Sequence, residues 1–167
     1  MLRRLRETAP AALVPLAWTV VAAAHGGLLD RRPLLIAHLV MVALLVAFVV
    51  LSWSDMRSGV LLAWRRVILA GIPVTAAGAA GLAATPPITA LLWVAVVGWM
   101  VLPAAGLLHT GRRADTLPGA YLGGGLLSAL GALVYVLAPV AGGTAALAGL
   151  AFVGAGQTIG ILAAAAT

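Results

Sequence analysis

Six long apolar runs separated by short polar turns dominate the sequence. Each run has about 20 residues, the length that an α-helix needs to cross the roughly 30 Å hydrocarbon core of a bilayer. The chain is 63% hydrophobic and 8% charged, whereas a soluble domain carries about 25% charged residues. So few charges cannot cover a water-exposed surface. We therefore predict an all-α, polytopic integral membrane protein that forms a bundle of six transmembrane helices.

The polar turns set the boundaries of the predicted helices. We expect one transmembrane domain over 1–167, with helices at about 11–29, 34–52, 67–84, 88–108, 117–137 and 144–166. The segment 53–66 is rich in Trp and Arg, which prefer the headgroup level of a membrane, so we expect it to be interfacial. The first run follows a basic start, a pattern shared with signal peptides, and we interpret it as a retained first helix.

The distribution of arginine predicts the orientation in the membrane. All ten basic residues are arginines, and six spans place both termini on one side. With both termini inside, only Arg31 and Arg32 lie outside, and the inner side holds Arg3, Arg4, Arg6, Arg57, Arg65, Arg66, Arg112 and Arg113. Because positive residues concentrate in cytoplasmic loops, we predict a multi-pass protein of the cell membrane with both termini in the cytoplasm. Arg31, Arg32, Arg65, Arg66, Arg112 and Arg113 are the predicted topology anchors.

A weak internal repeat links residues 18–32 to residues 99–113 at an offset of 81. Six of the fifteen aligned positions are identical, among them Trp18 with Trp99 and the two Arg-Arg pairs. Three helices in each half would make the halves inverted in the membrane, as in many transporters. The alternative is chance, since roughly one position in eight would match in a chain of such biased composition.

Gln157, Thr75, Pro73 and Pro103 are the predicted ligand-binding residues. Both prolines fall near mid-membrane, and each leaves a helix carbonyl without its usual donor. The amide of Gln157 needs several hydrogen-bond partners at that depth. Either Gln157 binds a neighbouring helix, through Thr75 or a freed carbonyl, or it lines a solute site with these residues.

Small residues at helical spacing predict close helix packing. A GxxxG motif occurs at Gly119 and Gly123 in the fifth helix, and another at Gly156 and Gly160 in the sixth. Such spacing lets helix backbones approach closely in a membrane. The two helices either pack together within one chain or form the face of a homo-oligomer or of a larger membrane complex.

His25 and His38 flank the first polar turn at about one helical turn on either side. We expect them to lie at one depth with Cα atoms within about 15 Å, given ordinary helix packing, and Asp30 to orient one imidazole. Three interpretations remain: bonds to backbone or water, a divalent-metal site, and a haem ligand. Two histidines are fewer ligands than a structural zinc needs.

The sequence offers no support for an enzyme. All four acids lie at helix ends, so no carboxylate is placed for an intramembrane proton relay. There is no cysteine, and no metalloprotease, nucleotide-binding or nucleophile motif. In a chain of this composition, the net charge of +6 indicates arginine anchors at the lipid headgroups rather than nucleic-acid binding.

Three functions from different classes fit these features. The first is a carrier, channel or binding component for a neutral or apolar small molecule, because the membrane interior holds so few charges. The second is a non-catalytic membrane subunit or lipid-binding scaffold of a larger complex. The third is a redox membrane subunit that binds haem or a divalent metal through His25 or His38, whereas the first two require no cofactor.

Overall fold

The described residues of the computed structural model form six α-helices. It describes the backbone of residues 2–166, and the side chains of residues 12–166 except 143. Arg3, Arg4 and Arg6, which entered the topology prediction, have side chains outside the described residues. The helices are α1 Leu2–His25, α2 Arg31–Leu51, α3 Gly59–Ala83, α4 Thr89–Gly111, α5 Pro118–Ala141 and α6 Gly143–Ala165.

The helices have the dimensions of membrane spans. Helices α2 to α6 are each long and apolar enough to cross a bilayer, and the described apolar part of α1, Ala12–His25, is shorter. Only 6% of the most apolar stretch of α2 is buried within the chain, so this helix presents its hydrocarbon side chains outwards. The prediction of an all-helical, multi-pass membrane protein is confirmed at this level.

Helix α3 begins eight residues before its predicted start. Ser58 has extended backbone angles, and Gly59 has a φ of 58°, a left-handed value that suits glycine. Arg65 and Arg66 therefore lie inside α3 rather than before it. Arginine is a good helix former. The helix can therefore begin before the arginines at which the apolar run begins.

The chain divides into two compact units. Unit 1 contains the residues up to Leu28 together with those from Pro103 onwards, and unit 2 contains Leu29–Leu102. Unit 1 thus holds α1, α5, α6 and the end of α4, and unit 2 holds α2, α3 and the beginning of α4. The boundary falls inside α4, at Pro103.

Unit 1 is built on close backbone contact between α5 and α6. A Cβ atom added at Gly131 would lie 2.7 Å from the carbonyl oxygen of Gly149, and one at Gly124 would lie 2.5 Å from that of Gly156. These two helices therefore pack together within the chain, as small residues allow in membranes.

The small-residue motif of α6 takes part in this packing, but the motif predicted on α5 does not. Gly119 and Gly123 are exposed, and a Cβ atom at either would meet nothing within 4 Å. One position along an α-helix turns a side chain by about 100°. Gly124 therefore faces α6 while its neighbour Gly123 faces outwards.

In unit 2, side chains of other helices lie on several glycines. The ring of Trp99 lies on Gly71, Val74 lies on Gly98, and the ring of His38 lies on Gly78. Arg31 Nη1 donates a hydrogen bond to the carbonyl of Ala84, 3.1 Å away, at the C-terminal cap of α3. A cation at this position donates to a carbonyl that has no partner within the helix. It also interacts favourably with the negative end of the helix dipole.

Candidate functional site

A groove of about 580 Å³ lies between α1 and α6 in unit 1. Helix α1 contributes four residues at helical spacing, namely Pro15, Trp18, Thr19 and Ala22. Helix α6 contributes residues between Leu147 and Ile159 that recur every three or four positions, as one face of a helix does. None of the described residues that line the groove is charged.

The two hydroxyl groups of the groove are bonded to their own helices. Thr19 Oγ1 donates to the carbonyl of Pro15 at 2.8 Å, and Thr158 Oγ1 donates to the carbonyl of Gly154 at 2.6 Å. Such bonds to the preceding turn are common for threonine in helices. The hydroxyl protons are therefore already used, and the groove offers hydrocarbon surface with two weak acceptors.

Trp18 forms a wall of the groove and is held from behind by Gln157. The indole is buried, and its Nε1 donates to Gln157 Oε1 at 2.9 Å. The Nε2 of Gln157 in turn donates to Ser128 Oγ across a long 3.5 Å. Gln157 thus points into the helix bundle and links α6 to α1 and α5. It does not line the groove, but it holds Trp18, which does.

Thr75 and Trp99 form a comparable contact within unit 2. Thr75 Oγ1 donates to the carbonyl of Gly71 at 2.8 Å, and its oxygen accepts a hydrogen bond from Trp99 Nε1 at 2.9 Å. A Cβ atom at Gly71 would lie only 2.7 Å from Cη2 of Trp99. The hydroxyl of Thr75 is therefore occupied within its own unit, where the indole closes over the glycine.

The predicted ligand-binding residues do not line the groove. Pro73 is exposed in unit 2, whereas Thr75 is buried there, and Pro103 is buried in unit 1. Trp18 and Thr158 line the groove instead, and neither was a predicted site residue. The repeat had singled out Trp18, but only as a marker of duplication.

Both histidines of the first hairpin bond to backbone carbonyls. His25 Nδ1 lies 2.9 Å from the carbonyl of Val21, and His38 Nδ1 lies 2.8 Å from that of Leu34. A carbonyl oxygen can only accept, so each Nδ1 carries a proton, and in the neutral ring Nε2 is the acceptor.

The Nε2 atoms of the two histidines have different surroundings. His25 Nε2 lies 2.6 Å from the hydroxyl of Tyr135, which donates to it, and the two rings meet edge to face. The ring of His38 covers Gly78, where a Cβ atom would lie 2.7 Å from Nε2. Within the described residues, no three His, Cys, Asp or Glu side chains are placed to hold a metal ion.

The predicted topology anchors have varied local roles. Arg31 caps α3, and Arg113 Nη1 donates to His109 Nδ1 at 3.0 Å. Arg65 lies with its guanidinium carbon 4.4 Å from the centroid of the Trp53 ring. The remaining anchors, Arg32, Arg66 and Arg112, are exposed.

No family model, curated protein or solved structure matches this chain.

Proposed function

We propose that the protein is a membrane-embedded carrier or binding component for a neutral, apolar small molecule, which it holds in the groove between α1 and α6. The volume of about 580 Å³, with no charge among the described residues of its lining, carries this proposal. Ligand pockets of roughly 300–1,000 Å³ with mainly apolar walls are typical of small-molecule sites. A charged ligand would lose its hydration here without gaining an ionic partner, which is costly.

In this proposal Trp18 supplies the flat aromatic wall, and Gln157 fixes its orientation. Gly154 lets the stem of Trp18 approach α6, because a Cβ atom there would lie 3.3 Å from Trp18 Cβ. Thr158 adds an acceptor to the α6 wall. Gln157 is thus a positioning residue, and Thr75 belongs to the separate Trp99 contact.

The test is ligand-dependent thermal stabilisation of the purified protein in lipid nanodiscs. The probes are hexadecanol, which is neutral, and ionised palmitate, which has a similar chain and a charge. A ligand at about 100 times its Kd stabilises the folded state by about 2.7 kcal/mol. We expect hexadecanol to raise the melting temperature clearly and palmitate to raise it much less.

Two variants on α6 locate the effect. Ala155 lines the groove, and Ala155→Phe fills part of it, whereas Ala148 is exposed on the same helix outside the groove. Stabilisation by hexadecanol should be lost in Ala155→Phe and retained in Ala148→Phe. Equal stabilisation in both variants would show that hexadecanol does not bind in the groove. No stabilisation of the wild-type protein would favour the non-catalytic scaffold.

We propose further that both termini are cytoplasmic and that the chain is a 3+3 inverted repeat. The local contacts of Trp18 and Trp99, which are 81 positions apart, support the repeat. Each side chain contacts a glycine, Gly154 or Gly71, whose carbonyl accepts from a threonine four residues later; these two glycines are 83 positions apart. Reporters fused to the two termini should both read cytoplasmic, and a reporter outside would contradict the six-span topology.

A redox role through His25 or His38 has less support in the side-chain geometry. Both ring nitrogens of His25 already have partners in Val21 and Tyr135. A metal or haem iron bound at Nε2 would have to displace the Tyr135 hydroxyl. An optical spectrum of the purified protein with a Soret band would reverse this ranking.

A further inference from the structure

The guanidinium of Arg65 lies on the ring of Trp53, but its hydrogen bonding is incomplete. Its carbon atom is 4.4 Å from the ring centroid, and Nη1 donates to the carbonyl of Trp53 at a long 3.4 Å. The Nε atom is buried and has no hydrogen-bond partner. Among the described side chains, no carboxylate forms an ion pair with Arg65. A guanidinium has five N–H donors, and those of Nη1 and Nη2 that do not bond the Trp53 carbonyl are left for another acceptor.

The position of Arg65 along α3 places this guanidinium near the phosphate level of a bilayer. The stretch from Arg66 to the end of α3 at Ala83 spans about 27 Å at 1.5 Å per residue. The hydrocarbon core is roughly 30 Å thick. When this stretch fills the core, Arg65 lies at its edge, and the long side chain can extend to the headgroups.

The segment around Arg65 has an excess of positive charge. Arg57, Arg65 and Arg66 lie close together in the sequence, and Asp55 is the only acid between residues 52 and 66. Its carboxylate accepts a hydrogen bond from the hydroxyl of Ser54 at 3.1 Å. Arg57 and Arg66 are exposed. An anion from outside the chain would therefore meet uncompensated arginine at this end of unit 2.

We propose that Arg65 and Trp53, assisted by Arg66, bind the headgroup phosphate of an anionic membrane phospholipid. The Trp53 ring fixes the plane of the guanidinium, and a planar guanidinium can bind a phosphate through two parallel hydrogen bonds. Leu69 is exposed one turn deeper on the same face of α3, where it can contact an acyl chain. This combination favours a phospholipid over free phosphate, and the site does not depend on the groove in unit 1.

The experiment measures lipid binding to the full-length protein after removal of co-purified lipid. The protein in detergent is titrated with phosphatidylglycerol, with phosphatidylcholine or with inorganic phosphate, and the bound species are counted by native mass spectrometry. The readout is the ratio of the affinities for the anionic and the zwitterionic lipid. One arginine near an anionic surface contributes about 1 kcal/mol, so Arg65→Gln should lower this ratio about fivefold.

Two further variants separate a specific site from general charge. Arg65→Lys keeps the charge but loses the fork and the planar stacking, so it should lower the ratio by about half as much on a logarithmic scale. Arg32→Gln removes an exposed arginine from the start of α2 and should leave the ratio unchanged. Circular dichroism checks that each variant keeps its helices.

The proposal fails if Arg65→Gln and Arg65→Lys, both folded, retain the wild-type ratio. It also fails if Arg32→Gln lowers the ratio as much as Arg65→Gln, because the effect would then be net charge. Binding of inorganic phosphate as tight as that of phosphatidylglycerol would overturn the lipid assignment. None of these results affects the response of the groove to hexadecanol, so the two proposals are tested separately.

Discussion

Trp18 in unit 1 and Trp99 in unit 2 make similar contacts with different results. Each indole N–H donates a 2.9 Å hydrogen bond to a side chain of another helix, Gln157 or Thr75. The outer edge of the Trp99 ring closes over Gly71, whereas Trp18 approaches Gly154 with its Cβ atom and the base of its ring. A groove borders Trp18. The part of the tryptophan side chain that meets the glycine therefore distinguishes a closed packing contact from the wall of a groove.

The largest expected difference comes from adding a methyl group to each glycine. Gly71→Ala places a Cβ atom 2.7 Å from a rigid ring, while Gly154→Ala places one at 3.3 Å from Trp18 Cβ. Overpacking typically costs about 1–3 kcal/mol, and alanine returns up to about 1 kcal/mol in a helix. We expect Gly71→Ala to lower the free energy of unfolding in mixed micelles by about 1–2 kcal/mol, and Gly154→Ala to be nearly neutral. Equal losses would mean that the two contacts are equally tight.

Removing the acceptor of each indole should separate stability from binding. Gln157→Leu and Thr75→Val each remove a hydrogen-bond acceptor of an indole N–H, which is buried at Trp18 and partly buried at Trp99. Each change should cost about 0.5–2 kcal/mol, as for interhelical hydrogen bonds in membranes. Only Gln157→Leu should also weaken the stabilisation by hexadecanol, because only Trp18 borders the groove. Thermal unfolding with and without the probe measures both effects. If Thr75→Val weakens the response as well, the binding site is not confined to Trp18.

A smaller effect is expected for the hydrogen bond between His25 and Tyr135, which joins α1 to α5 in unit 1. Tyr135→Phe removes a 2.6 Å bond that is only partly buried, so we expect a loss of about 0.5–1.5 kcal/mol. A double-mutant cycle with His25→Ala isolates the pairwise energy. Strict additivity of the two single changes would show that the bond adds nothing to stability.

The smallest effect is expected for Thr158→Val. The Thr158 hydroxyl donates to the carbonyl of its own helix at Gly154, whereas Thr75 also accepts from an indole on another helix. We expect the free energy of unfolding to change by less than about 0.5 kcal/mol, with the hexadecanol response retained. A loss as large as that for Thr75→Val would give Thr158 a role between helices.

The sequence predicted the helices well, but it predicted their ends and faces less well. Hydropathy predicts α3 but not where it begins. Arg65 and Arg66 precede the apolar run and therefore indicate an interfacial segment, although they lie inside the helix. The small-residue pattern identified α5 and α6 as close-packing helices. A sequence motif does not state which of two adjacent glycines faces a neighbour, so Gly123 was chosen where Gly124 makes the contact.

The candidate site was the least predictable part. The spacing of glycine and threonine seen at Gly154 and Thr158 also occurs at Gly71 and Thr75, at Gly81 and Thr85, and at Gly106 and Thr110. At Gly154 and at Gly71 a tryptophan from another helix lies on the glycine, whereas Gly81 meets Ile88, Leu91 and Leu92. Nothing in the spacing indicates which places these are, because the tryptophan comes from a distant part of the chain.

The sequence by itself determined the helical class and the membrane setting of this protein. A chain with so few charges has to satisfy its backbone inside lipid, and helices do this within each segment. Only the tertiary structure decided that Trp18 meets Gln157, 139 positions away, and that a groove lies beside it. Such contacts depend on the rotation and approach of whole helices. In a membrane the rotation and approach of helices are set by packing between surfaces that are distant in the sequence. A local residue pattern does not predict such packing.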